Sequence, residues 1–155
     1  MAGPDEVMDR ISEAIALGQQ GDRAAARERF ARIWAEIFPG GDAFHRCVLA
    51  HYMADLQAEP HDALAWDLRA LEAAGSLTDE RVQEHHASLR IRGFHPSLHL
   101  NLAEDYRRLG DPGRAREHLE EAGRRLDALD DDAYGAGVRA ALTRLADRLG
   151  EAGGL

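Results

Sequence analysis

The chain has 155 residues, of which 45% are hydrophobic and 30% charged, enough apolar content for one domain with its own core. Its 28 acidic residues outnumber 19 basic ones, and the formal net charge of −9 argues against a general nucleic-acid binder, which must neutralise phosphates. Anionic membrane surfaces are disfavoured for the same reason.

Val7, Ile11, Ala14 and Ile15 recur at helical spacing, and Pro4-Asp5-Glu6 suits a first turn. This first helix should end between Gly18 and Gly21. A second begins at Asp22, with Ala26, Phe30, Ile33 and Ile37 on one face, and Phe38-Pro39-Gly40-Gly41 breaks the chain after it. The third, Asp42 to Gln57, is apolar over much of its circumference through Phe44, Val48, Leu49, Tyr52, Met53 and Leu56, which predicts a sandwiched position. Pro60 opens a fourth helix, expected to turn Leu64, Leu68 and Leu71 inward and to end near Gly75. A short fifth helix is predicted over 79–90, with Val82, His86 and Leu89 aligned. Gly93-Phe94-His95-Pro96 reads as a turn, and Ser97 starts a sixth helix with the stripe Leu98, Leu102, Tyr106 and Leu109. After Gly110-Asp111-Pro112-Gly113 a seventh helix carries Ala115, Leu119, Ala122 and Leu126 to about Leu129. An eighth, over 133–149, follows the acidic run Asp130-Asp131-Asp132, and the residues from Gly150 on should fray. No alternating run demands a strand. The expectation is a single all-α domain over 1–155, an array of about eight antiparallel helices.

Every basic residue is an arginine, so no lysine is present for a Schiff base, a phosphate loop or a kinase-type site. A GC-rich genome of bacterial type accounts for that bias. Cys47 is the sole cysteine; it permits no intramolecular disulfide and reads as a small buried hydrophobe. The start of the chain, MAGPDEVMDR, carries no secretion signal, and no run of apolar residues is long enough for a membrane span. The expected location is the cytoplasm.

Two segments repeat one another. Gly21-Asp22 and Gly110-Asp111 each lie between amphipathic helices; an alanine follows four residues after each aspartate (Ala26, Ala115) and a large apolar residue four later (Phe30, Leu119). The glycine suits a left-handed helix end, the aspartate caps the next helix, and the alanine lets two helices approach closely. This combination resembles the tetratricopeptide repeat (TPR), a helix–turn–helix unit of about 34 residues. The second copy matches best, with Leu102-Ala103, Tyr106, Gly110-Asp111, Ala115, Leu119 and Ala122 at the family's positions; His99 stands for its tryptophan and Asp127 for its proline. The first copy keeps Ala14, Gly21, Ala26 and Phe30, with Leu17 in the aromatic position. The spacing between the copies exceeds two periods by about one short helix. Helical pairs are therefore expected over 5–37, 42–74 and 96–129, the middle one degenerate, with an extra helix over 79–90 and a capping helix over 133–149.

The resemblance implies a right-handed superhelix whose concave face, lined by the first helix of each pair, binds a peptide or a protein partner. Projection onto that face gives Ser12, His51, Asp55, Asn101, Glu104 and Arg108, with Arg107 beside them. Asn101 is the one asparagine of the chain, and its amide offers both a donor and an acceptor to a peptide backbone, while Arg107 or Arg108 could hold a carboxylate. The lysines and second asparagine of the family's carboxylate clamp are absent from the pattern. A solvated polar face is the plain alternative for any one of these residues.

The eight histidines include His51 with Asp55 and His95 with His99 at four-residue spacing, but no zinc-protease signature. Phosphate-loop, nucleophile-elbow and dinucleotide motifs are also lacking. The reading is a non-enzymatic adaptor without cofactor or metal, with a self-associating homodimer or a histidine-based metal protein as alternatives.

Overall fold

In a computed structural model, residues 6–38, 40–75, 91–126 and 133–152 are described. They form seven helices and no strand: α1 (Glu6–Gln19), α2 (Arg23–Ile37), α3 (Ala43–Asp55), α4 (Pro60–Ala74), α5 (Ile91–Arg108), α6 (Pro112–Arg124) and α7 (Ala133–Ala152). The helix expected over 79–90 lies outside the described residues. Each of the seven packs against the next in sequence, and α1 also meets α3, as α5 meets α7.

The two Gly-Asp turns have the same geometry. Gly21 and Gly110 are the described residues with positive φ, +94° and +78°. In the first turn Gly21 N–H donates to Gly18 O (3.1 Å) and Asp22 N–H to Leu17 O (3.0 Å); in the second Gly110 N–H donates to Arg107 O (3.1 Å) and Asp111 N–H to Tyr106 O (2.9 Å). These paired bonds form a Schellman motif, which closes the end of the preceding helix. Each aspartate then caps the following helix, Asp22 accepting from Ala25 N (3.3 Å) and Asp111 from Arg114 N (3.1 Å). Asp42 does the same for α3, accepting from Phe44 N at 2.8 Å. A proline in the first turn supplies a pre-set φ at the start of α4, which has no side-chain cap, and adds to the Asp111 cap at the start of α6.

Three apolar groups fill the interior. One joins α1, α2 and α3 through Ile11, Phe30, Phe44 and Leu49; fully burying a side chain such as Phe30 contributes about 1.5–3 kcal/mol. A second joins α5, α6 and α7 through Leu100, Ala115, Ala122, Leu145 and Leu149. Between them lies a group of small residues, Cys47, Ala50, Ala70, Ala73 and Ala74, with Leu98. Helix α3 is buried over much of its circumference, as its composition predicts, although Tyr52 is exposed.

Sequence and structure part in three places. Helix α4 turns Ala63, Asp67, Ala70, Ala73 and Ala74 inward, whereas Leu68 is 41% exposed. The small face lets α3 and α5 come close, which leucines would prevent. The backbone of α5 is already helical at Ile91 and runs through the expected turn, with Pro96 inside. An interior proline costs about 3 kcal/mol, but its ring is almost completely buried, and that packing offsets the lost hydrogen bond. Finally, α6 ends at Arg124 instead of near Leu129, which lies outside the described residues, while α7 continues through Gly150 to Ala152.

Candidate functional site

Helices α3, α4 and α5 converge on a cluster of polar side chains. His51 and Asp55 lie one turn apart on α3, Asn101 and Asp105 one turn apart on α5, and Asp67 faces them from α4. Asn101 Nδ2 is 3.2 Å from His51 Nδ1. With the amide as donor, Nδ1 accepts and the imidazole proton sits on Nε2. Burial holds the His51 pKa below its ordinary value, against the opposing charge of Asp55, so the ring is neutral.

Asp67 and Asp105 are 2% and 5% exposed. Asp67 Oδ1 and Asp105 Oδ2 are buried without a hydrogen-bond partner. Desolvation is the main cause that raises both carboxyls. Asp67 is pushed up to about 10, because it also donates to Asp105 and lies in the negative field of Asp105 and Asp55; a hydrogen bond from Asn101 acts the other way. Asp105 is the acceptor of the pair, and the Arg108 charge partly opposes its rise. One proton is therefore held on Asp67 at neutral pH, as expected when two carboxyls share a dry site. The pair is sealed from solvent, so it acts as a joint between α4 and α5.

The residues projected onto the concave face thus have different roles. His51, Asp55 and Asn101 come together, and Asn101 is engaged with His51 and Asp67. Arg107 is tied to Glu104, its Nε donating at 2.9 Å, with Arg148 Nη1 at 3.9 Å from the same carboxylate. Arg108 is exposed on the last turn of α5, and Ser12 is exposed on α1. Asp67 and Asp105 were not legible as site residues. The available signal was the repeated four-residue spacing, His51 to Asp55 and Asn101 to Asp105, together with the alanines that flank Asp67 in register.

Beside the cluster an open groove of about 220 Å³ lies among α1, α2 and α3. Ala14, Ile15, Phe30 and Leu56 give it apolar walls, and Gln19, Arg23, Tyr52 and Asp55 form its polar rim. Arg23 Nη2 donates to the Asp55 backbone oxygen at 3.0 Å, not to the carboxylate. Desolvation raises the Asp55 carboxyl, and the Arg23 charge opposes the rise.

Two further arrangements are present. His99 Nδ1 and His118 Nδ1 lie 3.0 Å apart, with Tyr106 stacked on His118 at 5.5 Å between ring centroids. A hydrogen bond between two imidazoles needs one donor and one acceptor, so the two rings cannot both be protonated while it persists. Trp34 meets Phe38 and Trp66 at 4.9 and 5.0 Å, and Arg69 lies 4.3 Å above the Trp66 ring. Cys47 is buried, and burial pushes its thiol up to about 12, far from a reactive thiolate. Among the described residues, no group of three or more His, Cys, Asp or Glu side chains is placed to hold a metal ion; the expectations for His86 and the His95 side chain fall outside the described residues.

Compared with models of known protein families, with curated proteins and with solved structures, the chain shows no match.

Proposed function

We propose that the chain is a TPR-like helical-repeat adaptor of the cytoplasm, non-enzymatic, that binds a protein or peptide segment along the inner helices of its repeats. The observation that carries this reading is the duplicated turn: two Schellman ends with glycine in the left-handed region, each followed by an aspartate cap and a fully buried alanine, Ala26 or Ala115. Duplicated helix–turn–helix units that stack on one another are built for extended recognition surfaces. In this reading α1–α2, α3–α4 and α5–α6 are the three pairs, and α7 caps the stack. The groove between α1 and α3 fits the same reading, since it lies on the first helices of two neighbouring pairs.

The test is affinity capture from an extract of the source cells, comparing the wild type with Gln19→Trp, which places an indole at the groove rim. A specific partner held by the wild type and lost by the variant is the expected result. An identical captured set with both baits would overturn the assignment of this groove.

A second reading is self-association. The apolar residues of α3 are mostly buried within the chain, which leaves the aromatic patch around Phe38, 51% exposed, and the neighbouring α4 residue Leu68. Tryptophan, phenylalanine and arginine together are typical of interface centres. Light scattering that reports a dimer for the wild type and a monomer for Phe38→Ser would support this reading; a monomer for both removes it.

A further inference from the structure

The groove among α1, α2 and α3 has a rim that is unequal in charge satisfaction. Asp55 forms no ion pair among the described residues: the nearby Arg23 guanidinium is committed to the backbone oxygen at 3.0 Å, and the adjacent His51 is neutral and bonded to Asn101. Beside Asp55 stands Tyr52, exposed, with its ring meeting His51 edge-on at 5.4 Å. The Arg23 charge still acts on the Asp55 carboxyl, but no cation among the described residues pairs with it directly, and an aromatic face next to such a carboxylate is suited to a cation. The floor has the opposite character, with Ile15, Phe30 and Leu56 offering only apolar contact. A volume of about 220 Å³ falls below the roughly 300–1,000 Å³ of a drug-sized ligand pocket, and it fits a side chain of a longer segment better than a whole small molecule.

From this geometry we infer that the groove recognises a peptide segment in which a lysine or arginine stands next to a bulky aliphatic residue, the aliphatic side chain entering between Ile15, Phe30 and Leu56 and the cation resting on Asp55 and Tyr52. The inference rests on the adaptor reading above and names the chemistry of its partner. Two further observations agree with it. Desolvation raises the Asp55 carboxyl, and a cation brought to it would favour the charged form. The net charge of −9 draws basic segments toward the chain and repels acidic ones.

Phage-displayed random dodecapeptides selected on the full chain, and in parallel on Gln19→Trp and Asp55→Asn, test the inference, with circular dichroism confirming that each variant is folded. The expected result is a set of groove-dependent peptides, lost on Gln19→Trp, that share a Lys or Arg beside Leu, Ile or Val. A labelled synthetic member of that set should bind Asp55→Asn about tenfold more weakly than wild type by fluorescence anisotropy, a loss of about 1.4 kcal/mol. Peptides that depend on the groove but carry no basic residue, or that bind through acidic residues on Arg23, overturn the inference and leave the adaptor reading standing. Selection that yields no groove-dependent peptide overturns both.

Discussion

Asn101 on α5 and His51 on α3 meet at 3.2 Å, and the same amide also bonds Asp67 on α4. A single side chain therefore joins three helices, and it does so with polar groups that have little alternative, because Asp67 is buried and His51 is held neutral by burial. The first prediction follows from that dependence. Asn101→Ala leaves the buried Asp67 and the half-buried His51 short of a partner, which costs about 1–3 kcal/mol for a group left unpaired in the interior. Urea denaturation should show a drop of this order. A variant as stable as wild type would mean that the junction contributes nothing to the fold.

The carboxyl pair predicts how stability responds to pH. Asp67 is raised to about 10 in the folded chain, against about 3.9 for an unperturbed aspartate. The folded state binds more protons than the unfolded one across that window, so this group's stabilisation is complete below about pH 4 and is lost as pH rises toward about 10. Asp67→Asn keeps the shape and a donor for Asp105 but cannot ionise. Its melting temperature, compared with wild type from pH 5 to pH 9, should gain on wild type as pH increases. A constant difference between the two would refute the shared proton.

The histidine pair acts in the opposite sense. Burial lowers the His118 pKa below its ordinary value, with Glu117 and Glu121 opposing. A histidine lowered on folding takes up its proton more readily when unfolded, so its contribution is lost as pH falls through the unfolded value of about 6.5. His118→Phe retains a ring for stacking on Tyr106 and removes the titration. Proton NMR should show the His118 ring titrating below pH 6.5 in wild type, and the variant should lose less stability between pH 7 and pH 5. A His118 resonance that titrates at or above the ordinary value would contradict this.

The two turns should be energetically alike. Alanine in place of Gly21 or Gly110 must adopt a φ near +94° or +78°, at a cost of about 1–2 kcal/mol. Loss of the Asp22 or Asp111 cap costs about 1 kcal/mol. Denaturation of Gly21→Ala, Gly110→Ala and the double variant should give two similar losses whose sum matches the double, because the turns share no partner. Strongly unequal losses would argue against equivalent roles for the two copies.

Much of this was legible in the sequence and some was not, for identifiable reasons. Helix boundaries at Asp22, Pro60 and Asp111 follow from capping chemistry, which is local and so is written in adjacent residues. The burial of α3 follows from its composition alone. The register of α4 does not, because Leu64, Leu68 and Leu71 look like a core stripe until the neighbouring helices are known to require the alanine face. The same mistaken register hid Asp67, which it places at the edge of the expected face and not near the centre of the buried one. Pro96 misled in the other direction: its local preference is to break a helix, and only the burial of its ring explains why the helix passes through it. Asn101 was singled out as the one asparagine of the chain, yet the residues it meets come from α3 and α4, and no spacing within one helix could show them.

The group of small residues between the two larger apolar groups has a consequence for how the chain comes apart. Alanines bury little area, so the contact of α4 with its neighbours, for which Trp66, Leu71 and Leu98 supply the larger apolar side chains, also depends on one proton on one carboxyl pair. Alkaline conditions remove that proton without touching Phe30, Leu49 or Leu145. The groove-bearing part and the C-terminal helices would then separate as two cooperative units, so a melting curve that resolves into two steps at high pH, and into a single step near neutrality, is the expected outcome.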